Sequence, residues 1–473
     1  LRSFDAQTAP SPAGAEMQVK QMLDGRCARK KKGEHMLTKM KSSMKSINYK
    51  LFSTLLVMGL LPTIYTTVRI FFLGNMPSDW GFNIASQLSW VNLVYEILQE
   101  AIMLPLFYLI GKSLGNKEEL SNKIKSGLIV TFAIYSFISL VFLLFAEPII
   151  IFMSQKSELI EKTALYIRLE TIASIFSTLA QFTVLVLITL KMDKILLVIL
   201  SLQMLATVLL DSLLVSSLPI SLNIGVNGIA ITNIIVNTVI LTFALTVLSK
   251  QKVIVKTKIT FSWMKEWIKV GGYSGIESFV RNIAFMLMVV RMVNVVGEQG
   301  TFWVANNFIW GWLLLPIMQL GQLIKRDCGE TGEKAIKEKT LGYFGVTTII
   351  VILWVITIPL WEPFIKYVMN IDNSQEIFRI ALISLAFYIT FAYNNVIDSV
   401  FYGIGKTNYM LFQSILINSI FYGTLFVLYI IGIYKPTLEL IALMFAGGIA
   451  FDSMLTYGMF YWMLKRRSIH ILK

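Results

Sequence analysis

Runs of about 20 apolar residues recur along the whole chain, each long enough to cross ~30 Å of hydrocarbon as a helix. Twelve such spans can be placed, at approximately 51–73, 89–111, 125–145, 163–190, 194–216, 228–250, 266–296, 301–324, 341–361, 378–402, 409–433 and 438–464. Hydrocarbon offers no partner for backbone N–H and C=O groups, so a spanning segment must satisfy them internally as a helix or within a closed barrel. Short alternating strands of the barrel type are not visible. With 56% hydrophobic and 15% charged residues, the chain lacks the polar surface to cover a soluble core of this size. The expected fold class is an all-α polytopic membrane protein with twelve transmembrane helices.

The basic residues sort by side. Of 42 lysines and arginines, 32 fall in the two tails and in the connections after spans 2, 4, 6, 8 and 10. Only 4 fall in the opposite connections: Lys156, Lys162, Lys366 and Lys435. By the positive-inside rule both termini are cytoplasmic, as expected for a multi-pass plasma (inner) membrane protein. The same sorting explains the net charge of +14 without nucleic acid, which is not expected as a partner. Residues 1–50 read as a basic cytoplasmic tail, disordered, or as an upstream extension preceding a start at Met36, Met40 or Met44; the alternative reading makes Arg29-Lys30-Lys31-Lys32 a patch that touches anionic lipid. Span 2 ends Leu109-Ile110-Gly111-Lys112, and span 8 ends Leu323-Ile324-Lys325-Arg326, 214 residues later; the turns at Lys191 and Lys406 repeat at 215. Two six-helix pseudo-repeat bundles are therefore expected, at 51–250 and 266–464, with a cytoplasmic linker at 251–265 and a tail at 465–473.

Charged and polar groups inside the spans are costly in hydrocarbon and mark a wetted interior or a site. Span 1 carries Arg69; span 2 carries Glu96, Gln99 and Glu100 on one face; span 4 carries Glu170; span 7 carries Glu277 and Arg281 at i, i+4; span 10 carries Asn395 and Asp398. Gln203, Thr207 and Asp211 share one face of span 5, and Gly225-Val226-Asn227-Gly228 leads into span 6, which carries Asn233. Arg69 has two readings: it snorkels to the headgroups, or it pairs with Asp211 at similar depth. Glu277 and Arg281 read either as a local helix pair or as a site. Both histidines, His35 and His470, lie outside the spans, and no Gly-x-x-x-x-Gly-Lys-Ser/Thr loop is present. No enzyme, no metal and no cofactor are expected.

Several of these stretches resemble the multidrug and toxic compound extrusion (MATE) family, within the wider superfamily of drug, oligosaccharidyl-lipid and polysaccharide exporters. Tyr65 and Gly74 match its first-helix pattern, with Arg69 at the aspartate position, a charge reversal. Thr207 and Asp211 stand at its asparagine and aspartate in the fifth helix. Gly225 to Asn233 is similar to the start of its sixth helix, and Tyr402-Gly403-Ile404-Gly405-Lys406-Thr407 to its Arg-Gly-x-Gly-Asp-Thr turn. The resemblance implies two bundles around a central cleft, opening alternately to either side. It further implies a monomer that exports small amphipathic compounds (xenobiotics) in antiport with sodium or protons. Candidate substrate- or ion-binding residues are Arg69, Glu96, Glu100, Thr207, Asp211, Asn233, Glu277, Arg281 and Asp398. Two rival readings are a flippase for a lipid-linked precursor, with Arg69 and Arg281 holding phosphate, and a transport-inactive ligand-binding sensor.

Overall fold

The structure, a computed structural model, describes residues 36–76, 80–190, 192–256 and 258–469. The basic patch at 29–32 and the residues Lys191 and His470 lie outside the described residues. Twelve helical rods run through the described residues. In the first half they are α1 (Tyr49–Gly74), α2 (Leu88–Gly111, preceded by a short helix Trp80–Ser86), α3 (Lys117–Phe152), α4 (Ile160–Thr189), α5 (Asp193–Leu214) and α6 (Val226–Lys250). In the second half α7 is Met264–Phe285, continued through a π turn at Met286–Val290 and by Arg291–Val295. Helix α8 comprises Gln299–Phe308, a π turn Ile309–Leu313 and Leu315–Thr331; α9 is Glu333–Pro363 with a π turn Phe364–Val368. Then come α10 (Ser374–Gly403), α11 (Thr407–Leu416, π turn Ile417–Tyr422, Gly423–Ile430) and α12 (Leu438–Arg466). Nine of the helices are long and apolar enough to cross a membrane, and α8, bent by 53° between its pieces, makes a tenth. The rods α2 and α7, which carry the acidic stripes, complete the twelve.

Hydropathy locates only the apolar part of each rod. Helix α3 begins at Lys117, eight residues before the expected span, because its first turns carry Glu118, Glu119, Lys123 and Lys125 and continue the helix into water. Asn116 caps them by accepting from the backbone N–H groups of Glu118 and Glu119. Lys123 Nζ, 2.8 Å from Glu119 Oε1, together with the Ser113 hydroxyl holds the Glu119 carboxyl below the usual carboxylate range. Apolar side chains such as Phe137, Leu144, Leu209, Ile356 and Leu360 stand exposed on the rods, as a lipid-facing surface requires.

The halves repeat each other in packing. Helix α4 packs on α3 and α6 in the first half as α10 packs on α9 and α12 in the second; α5 lies on α1 as α11 lies on α7. Between the halves the contacts are reciprocal, α2 against α7 and α8 against α1. The α2–α7 seam is close because Gly271 lacks a side chain: a Cβ there would collide with the Ala101 carbonyl oxygen. Glycine also shapes the approach to α6. Gly225 takes a φ of +73°, and a Cβ on Gly228 would lie 2.9 Å from the Leu214 carbonyl oxygen at the end of α5.

One expectation changes here. The described end of the tail is helical at 36–45 and docks on α9, where Ser43 Oγ donates to the Glu338 carbonyl at 2.6 Å and accepts from the Gly342 N–H at 2.8 Å. Met40 and Met44 fill the space left by Gly345, and Ile47 joins an apolar core that includes residues of both halves. Composition reads as disorder a segment whose methionines and serine have partners 300 residues away. The linker is likewise ordered against α3: Ser121 Oγ donates to the Val255 carbonyl at 3.0 Å, and the Asn122 side chain exchanges hydrogen bonds with Thr260.

Candidate functional site

Among the described residues, three of the polar clusters inside the helical rods bring the candidate residues together. The first joins four helices of the first half. Arg69 of α1 donates from Nε to Asp211 Oδ2 of α5 at 2.9 Å and from Nη2 to Oδ1 at 3.4 Å. The same Nη2 donates to Asn233 Oδ1 of α6 at 3.1 Å, and Asn233 Nδ2 donates to both carboxylate oxygens of Glu170 on α4, at 2.9 and 3.1 Å. Asp211 is 1% exposed and Glu170 is 3% exposed, so one guanidinium, paired directly with Asp211 and linked to Glu170 through Asn233, faces two carboxylates withdrawn from solvent. Of the two readings of Arg69, pairing with Asp211 matches this geometry. Thr207 is buried one turn from Asp211 but makes no hydrogen bond to the cluster.

The second cluster sits on the seam between the halves. Arg281 of α7 donates to Glu277 at 3.2 Å within its own helix, and across the seam to Glu96 at 3.0 Å and Glu100 at 2.7 Å on α2. The local pair and the site are therefore the same object. Arg281 is 40% exposed and Glu96 39%, so this quartet borders an accessible gap rather than a sealed core. One cation faces three carboxylates, which leaves the gap acidic.

The third cluster belongs to α10, α11 and α12. Asn394 Nδ2 donates to Asp398 Oδ2 at 2.9 Å and to Asp452 Oδ2 at 2.8 Å, so a single amide holds two carboxylates together. Gln413 Nε2 donates to the other oxygen of Asp452, and Thr456 Oγ1 to Asp398 Oδ1 at 3.3 Å. Asn394 is fully buried and Gln413 is 5% exposed, yet Asn394 Oδ1 and Gln413 Oε1 have no hydrogen-bond partner. Among the described residues no lysine or arginine forms an ion pair with Asp398 or Asp452; Lys325 of α8 lies over the Tyr402 ring at 5.0 Å and acts on Asp398 only from a distance. Two half-buried carboxylates and two orphaned, buried amide oxygens are hard oxygen donors, the set that suits a proton or an alkali cation.

The sequence reading misses Asp452, although the cue that marks the other acids, an acidic residue within an apolar run, applies to Phe451-Asp452-Ser453 as well. Asn394 and Gln413 carry no comparable signal, since amides are common in such helices. Arg168 pairs with Glu147 at 3.1 Å, Arg379 with Glu439 at 3.1 Å, and Arg291 donates to the Phe152 carbonyl; all three are at the rod ends, as interfacial anchors should be.

Neither a family sequence model nor a curated protein sequence matches the chain. Its fold is that of solved MATE transporters. A multidrug resistance MATE family transporter of the MOP superfamily, in its inward-facing conformation, superposes with a TM-score of 0.71 at 17% identity, over 88% of this chain and 98% of that one. The MATE multidrug transporter DinF-BH, in complex with a ligand, gives 0.69 at 17% identity, over 91% and 98%. An outward-facing conformation of a MATE transporter gives 0.62 at 17% identity, over 90% and 97%.

Proposed function

We propose that this protein is a secondary active transporter that exports small amphipathic organic compounds by alternating access, driven by inward movement of sodium or protons through its second half. The observation that carries the coupling is the Asp398–Asp452 pair, half-buried beside the orphaned, buried amide oxygens of Asn394 and Gln413 and, among the described residues, without an ion-paired cation. Loading such a pair with a cation or a proton relieves its like-charge repulsion, so occupancy changes the packing of α10 against α12. In the first half the corresponding place is filled by Arg69, a cation that cannot leave. The acidic quartet at Glu96, Glu100, Glu277 and Arg281 borders the path between the halves, where substrate would lie. Solved relatives of this fold are described as multidrug transporters, one of them in complex with a ligand, which supports the substrate class.

The flippase reading draws no support from the arginines it needs. Arg69 and Arg281 are both satisfied by carboxylates, leaving neither free for phosphate. We place both termini in the cytoplasm on the charge sorting. Single cysteines at Asn75, Ser221 and Asn373 should label with an impermeant reagent from outside, and those at Asn116 and Gly332 should not; the reverse pattern overturns the orientation. The function is tested in liposomes by imposing sodium and proton gradients separately and following efflux of a rhodamine dye. Efflux driven by one gradient, and lost in Asp398→Asn protein that still folds, is the expected result. Dye binding with no flux under either gradient would identify a ligand-binding protein instead.

A further inference from the structure

At the end of the bundle remote from the two described termini, the halves are joined by buried amides. Gln87 stands at the break between the short helix and α2 and is fully buried. Its Nε2 donates to Asn294 Oδ1 of α7 at 2.7 Å, and Asn294 Nδ2 donates back to Gln87 Oε1 at 3.1 Å. Asn294, 6% exposed, also donates to the Met153 carbonyl at the end of α3 at 2.8 Å, and Trp90 Nε1 donates to Gln87 Oε1 at 3.0 Å. At the same end Asn370, between α9 and α10, donates to Asn75 Oδ1 at 3.0 Å and to the Phe71 carbonyl at 3.2 Å, fastening α1 to the second half. At the opposite end the seam is closed differently: Lys112 Nζ meets Glu266 Oε1 at 3.0 Å with both side chains about half exposed, 52% and 45%.

A reciprocal amide pair has an unusual free-energy profile. Parted in a dry interior, it leaves several polar atoms unpaired; parted into water, each atom finds a new partner at little net cost. An apolar seam would resist wetting, and a buried ion pair would resist separation unless its charges were solvated. The amide pair holds firmly while the seam is dry and yields once water reaches it, which is the behaviour of a gate that opens to an aqueous face.

We propose that the Gln87–Asn294 pair is the latch of the outer gate, seen here closed, and that it must break each time the central path opens to the outside. The inference rests on the alternating-access reading above.

The test uses the full chain in liposomes, with Cys27→Ser and Cys328→Ala to remove native thiols. Spin labels at Ile220→Cys and Ile433→Cys, on exposed loops of the two halves, report their separation. Asn294→Ala should enlarge the long-distance population at least about tenfold, since three cross-seam hydrogen bonds are lost, two to Gln87 and one to the Met153 carbonyl. The exchange Gln87→Asn with Asn294→Gln rebuilds the pair and should return the distribution toward that of the parent. In a second arm, Gln87→Cys and Asn294→Cys are bridged by a short bifunctional methanethiosulfonate. The bridge should hold the short distance and stop dye efflux, and reductant should restore both. Unchanged distances in Asn294→Ala, or undiminished efflux through the bridged protein, would overturn the latch. A parent chain that never lengthens its distance and carries no dye would sink the transport reading, a result distinct from failure of the latch alone.

Discussion

The two halves share one packing plan and treat their buried acids in opposite ways. In the first, α1 delivers Arg69 inward to Asp211 on α5, and Asn233 on α6 passes the contact on to Glu170 on α4. In the second, α7 carries Arg281, 212 residues further on, but this arginine turns across the seam to Glu96 and Glu100 on α2. The acids of α10 and α12 are left with amides and a threonine. The backbones differ as well. Among the described residues all four π turns, at 286–290, 309–313, 364–368 and 417–422, belong to the second half. Such turns carry an extra residue per hydrogen-bonded ring and often accompany functional sites. A duplicated architecture thus supports a half whose buried acid is paired with a covalently held cation and a half whose two acids, among the described residues, have no ion-paired cation. The difference is made by where two arginines point.

The comparison is most sharply broken at Arg69. Arg69→Ala leaves Asp211 and Glu170 buried without their cation and should cost about 3–5 kcal/mol of stability. Removing the acid as well, in Arg69→Ala with Asp211→Ala, should recover part of that loss; additive costs in a double-mutant cycle by thermal or denaturant unfolding would mean that the pair contributes nothing as a pair. Asn394→Ala removes the shared donor of Asp398 and Asp452 and should cost about 1–3 kcal/mol in sodium-free buffer. Part of that cost should return on adding sodium if the vacated place takes an alkali cation. Ser43→Ala removes two hydrogen bonds between the 36–45 helix and α9 and should cost about 1 kcal/mol, read as a shift in melting temperature. The smallest effect is expected from deleting residues 1–35, which lie before that docked helix: melting temperature should be nearly unchanged, and a large fall would show that they too pack on the protein.

Much of the site was legible because ionisable residues are rare in apolar runs. Glu96, Glu100, Asp211, Glu277, Arg281 and Asp398 announce themselves by cost alone. Their grouping was only partly legible. Glu277 and Arg281 are one helical turn apart, so their contact follows from period, whereas Glu96 and Glu100 approach Arg281 only because Gly271 lets α2 and α7 close up. The pairing of Arg69 with Asp211 was available as one of two readings, and depth within the bilayer does not choose between them. Asn233 was picked out by resemblance, but its bridge to Glu170 depends on the side-by-side packing of α4 and α6.

By itself the sequence determined the solvent, the class and the repeat: apolar runs of about 20 residues admit little besides membrane helices, and the 214-residue offset sets two like halves. It also determined which residues are too costly to be idle. The tertiary structure decided which of those residues meet. It sealed Asp211 with Arg69, left Asp398 and Asp452 to share one asparagine, and drew Gln87 and Asn294 together over 207 positions of chain. The physical reason is that burial cost is a property of a residue and its neighbours along the chain. Pairing depends on the rotation and closeness of separate helices, which many distant apolar contacts set together.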